Sequence, residues 1–149
     1  MRYLLLSDLH SNDEATRAVL ESARSTPFDR VVVLGDLVGY GASPNEVVGT
    51  VREMNPLAIV RGNHDKVVAA IESGEDFNRV AIEAARTNRS LLLPEHREYQ
   101  APLPRGPLRV SDSFAIAHGT PLDEDEYLVD EWGALPVFEA TDFPICFFG

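Results

Sequence analysis

Three short apolar runs each lead into a segment rich in possible ligand side chains. The pairs are Tyr3–Leu6 with Ser7-Asp8-Leu9-His10, Val31–Leu34 with Gly35-Asp36, and Leu57–Val60 with Arg61-Gly62-Asn63-His64-Asp65. Short apolar runs bounded by polar residues or glycine are typical of buried strands, here about Arg2–Leu6, Arg30–Leu34 and Leu57–Val60. Because ligands of open α/β sheets bind beyond the carboxyl ends of the strands, we expect the polar residues to meet at one edge.

The segments between these strands predict helices. Apolar residues at helical spacing favour a helix from about Asp13 to Ser25, capped by Ser11 or Asn12. Ser43-Pro44-Asn45-Glu46 has the form of a capping box and predicts a second helix that runs to about Met54. The resulting βαβαβ order indicates an α/β fold with right-handed crossovers and a parallel sheet.

The rest of the chain departs from this alternation. Short helices are predicted over 67–71, 77–89 and 94–99, and we interpret about 66–105 as a helical insertion that either shapes substrate access or only packs. The apolar runs 107–110 and 114–117 predict a hairpin. The acidic residues 123–126 predict the start of a helix, and the apolar run 144–148 predicts a last strand. No repeat or linker divides the chain, so we expect a single domain over 1–149.

Composition narrows the function. The net charge of −11 argues against a nucleic-acid partner, because phosphate contacts need clustered lysine and arginine. The single cysteine, Cys146, leaves neither an intramolecular disulfide nor a thiolate metal cluster. No signal-peptide pattern or membrane-length apolar run is present, so we expect a cytoplasmic protein with no membrane partner. The oligomeric state is not determined by these features.

A fourth apolar run, 114–117, leads into His118 and completes a set of candidate ligands. The set consists of Asp8, His10, Asp36, Asn63, His64 and His118. Taken singly, each has an ordinary structural explanation, such as a helix cap for Asp8 or a core histidine for His118. Their recurrence after apolar strands favours a shared site, and oxygen and imidazole ligands without sulfur suit Mn, Fe or Zn.

Four short motifs follow one another along the chain: Asp8-Leu9-His10, Gly35-Asp36, Gly62-Asn63-His64-Asp65 and His118-Gly119. In this order they resemble the motifs of the calcineurin-like metallophosphoesterases. The resemblance covers the whole chain. It implies a β-sandwich core flanked by helices and a site for two divalent metal ions, Mn, Fe or Zn.

The resemblance also implies a role for each residue of these motifs. Asp8 and His10 would bind the first metal, Asn63 and His118 the second, and Asp36 would bridge both. His64 would lie outside the metal ligands, near the leaving group, where it could protonate the departing alkoxide. Asp65 is predicted as its catalytic partner, because it could orient the imidazole.

Three departures from the family pattern refine this reading. Tyr40 stands where the Ser/Thr protein phosphatases and diadenosine tetraphosphatases carry a phosphate-binding arginine. That phosphate-binding group is therefore either missing or supplied from elsewhere, for which Arg61 is a candidate. Gly39 and Asp65 stand where the protein phosphatases have aspartate and glutamate. The match is closer to the small bacterial-type phosphodiesterases. The chain also stops before the family's Gly-His-x-His motif, so we expect a truncated form whose C-terminal strands and one histidine ligand per metal are missing.

We therefore expect a metal-dependent phosphoesterase that hydrolyses phosphodiesters or other small phosphorylated substrates with water activated by two metals. One alternative is a Ser/Thr protein phosphatase or a dinucleoside polyphosphate phosphatase. Another is a metal-binding fragment without catalytic activity.

Overall fold

Two three-stranded sheets form the centre of the computed structural model, which describes every residue from Met1 to Gly149. In chain order the elements are β1 (Tyr3–Leu6), α1 (Asp13–Ala23), β2 (Arg30–Val33), α2 (Pro44–Met54), β3 (Ala58–Ile59), α3 (Asn63–Val68), α4 (Arg79–Leu91), α5 (Pro94–Gln100), β4 (Leu108–Ser111), β5 (Phe114–Ile116), α6 (Glu131–Ala140) and β6 (Cys146–Phe147).

The first sheet is parallel, with β2 between β1 and β3. Its register places Leu4 beside Val31 and Val33 beside Ile59. The central strand is buried on both faces, which is why its sequence is continuously apolar rather than alternating. The second sheet pairs β4 with β5 as the predicted antiparallel hairpin and adds β6 parallel to β5. The three predicted parallel strands, the hairpin and the last strand are confirmed.

Alternate residues of β2 face two different cores. Val32 belongs to a cluster that lies between the sheets and includes Phe114 and Ile116 of β5. Val31 and Val33 face the other way, into a larger cluster with apolar residues of the helices, namely Val47, Val48, Val51, Val67, Val68, Ala85 and Leu92. Because side chains alternate along a strand, β2 packs against the second sheet on one face and against the helices on the other. The fold class implied by the resemblance, a β-sandwich flanked by helices, is confirmed.

Some helix boundaries differ from those predicted. Helix α1 is capped by Asn12, whose side chain accepts from the backbone N–H of Ala15 at 2.9 Å. Helix α2 has Pro44 at its start as predicted, but the Ser43 side chain makes no capping hydrogen bond, so the predicted capping box is wrong in this respect. Helix α3 begins at Asn63, separated from the end of β3 by three residues, because the Asp65 carboxylate accepts from the Gly62 N–H and closes the first turn.

The predicted helix start at residues 123–126 is wrong. Thr120 forms a turn there instead: its hydroxyl accepts from the backbone N–H of Leu122 and Asp123, and its own N–H donates to the Asp123 carbonyl. The helix begins later, after Asp130, whose side chain accepts from the Gly133 N–H. Sequence patterning missed α6 because its apolar residues form no single stripe and Pro136 lies within it.

The longest of the six helices is α4, with 13 residues. No helix combines the length and apolar character needed to cross a membrane.

A close approach of Gly35 to Gly62 joins the ends of β2 and β3. Gly35 has a φ of +96°, and a Cβ added there would lie 2.6 Å from the Gly62 nitrogen and 2.8 Å from the carbonyl carbon of Arg61. Both the backbone conformation and the neighbouring main chain therefore require glycine.

We expect Gly35→Ala to lower the free energy of unfolding by about 1–3 kcal/mol, because alanine is strained at positive φ and meets backbone atoms. Urea denaturation followed by circular dichroism measures the change. Gly133→Ala is the matched control, since a Cβ there lies at ordinary contact distances of 3.4 and 3.6 Å and the residue is helical. Equal stability of the Gly35 variant and the control would refute the constraint.

Candidate metal centre

The turns that follow β1 and β2 hold their residues in the left-handed backbone region. The φ angles are 56° for Asp8, 46° for His10 and 54° for Asp36. Such conformations cost about 1–3 kcal/mol each for residues other than glycine and persist only where the surroundings impose them. Here the two turns bond to each other, since the Asp8 N–H donates to the Gly35 carbonyl at 3.1 Å and the His10 N–H to the Asp36 carbonyl at 2.9 Å.

Two imidazoles converge on one carboxylate oxygen of Asp36. His10 Nε2 and His118 Nε2 each lie 3.5 Å from Asp36 Oδ2, and His10 Nε2 lies 3.6 Å from Asp8 Oδ1. The other oxygen, Asp36 Oδ1, accepts from the backbone N–H of His64 at 3.0 Å. Asp36 is only 2 % exposed, so its charge is balanced by these neighbours rather than by water.

The ring tautomers of both histidines suit metal binding. His10 Nδ1 lies 3.1 Å from the Val38 carbonyl oxygen and His118 Nδ1 lies 2.8 Å from that of Leu34. A carbonyl oxygen can only accept, so Nδ1 carries the proton in each ring. Each Nε2 therefore has a lone pair free for a cation on the side of Asp36, which is the arrangement typical of metal-binding histidines.

The electrostatics of the cluster favour positive charge. Burial lowers the pKa of His118, but hydrogen bonding and attraction from Asp36 outweigh burial and raise it to about 9. The interaction with His10 lowers the pKa of Asp8 against the opposing effect of burial. Carboxylates that stabilise a positively charged imidazole in this way also fit divalent cations, which would supply the same positive charge.

Possible ligand atoms form two groups that share Asp36. One group consists of His10, Asp36 and His64, the other of Asp8, Asp36 and His118, and in each the atoms lie within 4.8 Å of one another. Asp36 is the one residue that belongs to both of these groups, and its bridging role stays a prediction. The grouping differs from the pairing implied by the resemblance, which joins Asp8 to His10 and assigns the second metal to Asn63 and His118. Asn63 Oδ1 accepts from the His64 N–H at 3.0 Å.

All six candidate ligands line one cavity of about 310 Å³, which we call the central cavity. They reach it from the ends of β1, β2 and β5 and from the first turn of α3. Its wall also includes Tyr40, Tyr127, Phe148 and Gly149, and it contains no lysine or arginine. The structure therefore brings together every predicted site residue except Asp65.

Asp65 has other contacts than those expected. Its carboxylate accepts from the backbone N–H groups of Asp36, Leu37, Val38 and Gly62 at 2.8–3.3 Å, and it makes no hydrogen bond to the His64 ring. The orienting contact predicted between Asp65 and His64 is thus not formed. Burial, with repulsion from Asp36, raises the pKa of Asp65 to about 7 although its backbone donors act in the opposite direction.

The ring of His64 is oriented by packing instead. It contacts the rings of Phe77 and Tyr40, with centroid separations of 4.5 and 4.7 Å, and its buried Nδ1 has no hydrogen-bond partner. Gly39 lies against the ring, since a Cβ at that position would collide with Nδ1. Burial lowers the pKa of His64, because the charged imidazolium is poorly solvated there.

Sequence reasoning missed Asn88, a buried residue of α4 that fixes the loops around the centre. Its Oδ1 accepts from the Gly39 N–H at 2.9 Å and from the Ser11 hydroxyl, and its Nδ2 donates to the Gly41 carbonyl at 2.9 Å. An asparagine within a helix carries no motif, so only its burial in the tertiary structure identifies it. The helical segment around α4 therefore positions the site as well as packing against the core.

Arg61, the candidate for a phosphate-binding role, is engaged elsewhere. Its guanidinium donates to both carboxylate oxygens of Glu124 at 2.9 and 3.1 Å and does not line the central cavity.

Comparisons with known proteins identify the family. The model of the calcineurin-like phosphoesterase family matches residues 1–148. The crystal structure of a metallophosphoesterase from Sphaerobacter thermophilus superimposes with a TM-score of 0.84 and 37 % identity, covering 99 % of this chain and 59 % of that one. The uncharacterized protein MJ0912 of Methanocaldococcus jannaschii is 39 % identical over 100 residues, which are 67 % of this chain and 41 % of that protein.

A more distant relative has a named activity. The symmetrical bis(5'-nucleosyl)-tetraphosphatase of Baumannia cicadellinicola subsp. Homalodisca coagulata is 33 % identical over 82 residues, which are 54 % of this chain and 28 % of that enzyme. The chain thus spans less than half the length of either curated relative and 59 % of the length of the Sphaerobacter structure.

We expect Asn88→Ala to destabilise the protein by about 1–3 kcal/mol, because the buried Gly39 N–H and Gly41 carbonyl lose their partner. The free energy of unfolding from urea denaturation measures this effect. The same variant should bind Mn²⁺ more weakly in calorimetric titration, since the loops that carry His10 and Tyr40 are no longer held.

Thr87→Ala, at the exposed neighbouring position of the same helix, is the control and should leave both quantities nearly unchanged. Wild-type stability and Mn²⁺ affinity in the Asn88 variant would contradict the positioning role.

Proposed function

Since the chain belongs to the calcineurin-like phosphoesterase family, we propose that it forms the catalytic part of a metal-dependent hydrolase of small phosphodiesters. The observation that carries the proposal is the convergence of His10 Nε2 and His118 Nε2 on one oxygen of Asp36, with Asp8 beside them. This donor set has the residue types and the shared carboxylate that a two-cation site needs.

In this proposal two divalent cations, Mn, Fe or Zn, would be held by Asp8, His10, Asn63 and His118, with the Asp36 carboxylate as the ligand that both would share. Bound there, they supply Lewis acidity toward the phosphoryl group and lower the pKa of water. The protein contributes the fixed positions of the donors. Because the Nδ1 atoms of both histidines are tied to backbone carbonyls, neither ring can turn its Nε2 away without losing a hydrogen bond.

His64 is proposed as the acid for the leaving group. Water adds to phosphorus and releases a proton, the bond to one ester oxygen breaks, and His64 gives a proton to that oxygen. The proton released by the water restores His64 through the solvent, so a diester and water become a monoester and an alcohol. The ring lies at the wall of the central cavity but is held by Phe77 and Tyr40 rather than by a hydrogen bond. It is therefore available to exchange protons with a bound substrate.

The charge of the site supports a diester in preference to a more highly charged substrate. The central cavity is lined by carboxylates and histidines without lysine or arginine, and Arg61 is paired with Glu124. The negative charge of a bound phosphate would therefore be neutralised by the divalent cations alone. A diester carries one negative charge at its phosphorus, whereas a monoester dianion or a polyphosphate needs additional cationic groups.

A second candidate substrate is a dinucleoside polyphosphate. It is favoured by the likeness to the symmetrical tetraphosphatase from Baumannia, although that likeness covers 54 % of this chain. Tyr40, at the position predicted to hold a phosphate-binding arginine in such enzymes, is the feature that disfavours it.

We expect Asp36→Asn to abolish hydrolysis of bis-p-nitrophenyl phosphate and to lower metal content well below the roughly two equivalents proposed for the native protein. The substitution keeps the side-chain volume but removes the charge shared by both ligand groups. Elemental analysis of protein purified without chelators, and p-nitrophenol release with added Mn²⁺, measure the two effects.

Asp112→Asn is the matched control, because Asp112 lies exposed in the turn between β4 and β5. Native metal content and turnover in the Asp36 variant would defeat the bridging assignment. Faster hydrolysis of diadenosine tetraphosphate than of the diester by the native protein would favour the second candidate.

We expect His64→Asn to reduce turnover by roughly 10²–10⁴-fold, the usual contribution of a general acid, while metal content persists. The loss should be larger for alkyl leaving groups than for p-nitrophenolate, because a poor leaving group needs more protonation. Turnover across a series of aryl and alkyl phosphodiesters provides the comparison. Equal losses for good and poor leaving groups, or loss of the metals, would count against the acid role.

A further inference from the structure

A second cavity of about 380 Å³ adjoins the metal centre on the side of His64. We call it the lateral cavity. It shares Tyr40, Asn63, His64, Asp125 and Tyr127 with the central cavity, so the two form a continuous depression. Because His64 lies at their boundary, a phosphodiester placed at the centre would direct its leaving group toward the lateral cavity.

Aromatic rings form one side of the lateral cavity. Phe77 packs on the His64 ring with its centroid 4.5 Å away, and Tyr40 lies 4.7 Å from the same ring on the way to the centre. Tyr127 is 78 % exposed and projects at the rim, where it also borders the central cavity. Aromatic faces in a cavity open to solvent bind flat or cationic organic groups.

The lining of the lateral cavity is also acidic. Glu72, Glu75, Asp76 and Asp125 line it, and Lys66 is the only basic residue among the lining residues. Lys66 Nζ is 1 % exposed and is bound by Glu72 at 3.0 Å and Asp125 at 2.6 Å, so it presents no free charge to a ligand. Glu75 and Asp76 have no ion-pair partner and are exposed, which leaves their negative charge directed at the cavity and its opening.

Another grouping of acidic residues nearby does not form a metal site. Glu72, Glu124 and Asp125 come close together, but the Lys66 ammonium lies among them, 3.0, 3.5 and 2.6 Å from their oxygens. The Lys66 ammonium thus already occupies the position that a metal ion would take. This ion-pair cluster fixes the 120–127 turn against α3 and so places Tyr127 at the rim.

We propose that the lateral cavity is the leaving-group subsite and that it selects alcohols bearing an organic cation, such as an alkylammonium, over neutral and especially over anionic ones. The proposal rests on the phosphodiesterase function proposed above, and it adds the chemical class of the departing group. The aromatic rings would contact the alkyl groups of the cation, while Glu75 and Asp76 would supply the attractive charge.

Binding of the free alcohol tests the subsite independently of catalysis. We expect the native Mn²⁺-loaded protein to bind 4-(trimethylammonio)phenol at least about tenfold more tightly than 4-hydroxybenzoate, with neutral 4-hydroxyacetophenone between them, measured by calorimetry at low salt. In the double variant Glu75→Gln/Asp76→Asn the preference for the cation should fall about tenfold. The double variant Glu53→Gln/Glu98→Gln, at two exposed acidic positions outside both cavities, is the charge-matched control and should leave the preference unchanged.

Hydrolysis of the methyl phosphodiesters of the same three phenols completes the test. The ratio of kcat/KM between variant and native protein is compared for each compound, so differences in intrinsic reactivity cancel. A loss confined to the cationic ester supports the subsite. Equal affinity of the native protein for the cationic and anionic phenols, or an unchanged preference in the double variant, would overturn it. Absence of hydrolysis with the binding preference intact would instead refute the phosphodiesterase function and leave the cation site standing.

Discussion

The buried carboxylate of Asp65 is the interaction on which the geometry of the centre depends. One of its oxygens accepts from the N–H groups of Asp36 and Gly62, and the other from those of Leu37 and Val38. It therefore joins the turn after β2 to the start of α3. Four backbone donors pointing inward would be costly to bury without an acceptor, and a single carboxylate satisfies all of them.

This arrangement explains how strained backbone is retained at the site. Asp8, His10 and Asp36 have left-handed conformations, and the turns that contain them are linked to each other by backbone hydrogen bonds. The Asp65 carboxylate holds the Asp36 turn from one side and Asn88 holds the Gly39–Gly41 loop from the other. With both loops fixed, side chains from three separate strand ends can meet with their nitrogen and oxygen atoms 3.5–3.6 Å apart.

The charge around the centre has one prevailing sign, which is negative. The central and lateral cavities are lined by carboxylates and imidazoles, and the nearby basic residues Arg61 and Lys66 are consumed in ion pairs with Glu124 and Asp125. The cavities therefore attract cations. Metal ions fit this field at the Asp36 end, and an organic cation fits it at the aromatic end beyond His64.

The sequence by itself determined the strands and the polar residues that gather at the candidate site. Buried parallel strands are continuously apolar, so their ends could be located, and the polar residues after β1, β2, β3 and β5 had to gather at one edge of the fold. Only the tertiary structure decided the contacts of Asp65 and Asn88, because each bonds to backbone groups far along the chain and backbone donors leave no trace in a sequence. The same holds for α6, which lacks an apolar stripe, and for the lateral cavity, whose lining comes from three separate segments of the chain, around residues 40, 63–81 and 125–127. Sequence patterns reflect the burial of residues along a single helix or strand. The contacts of Asp65 and Asn88 and the lateral cavity depend instead on which elements pack against each other.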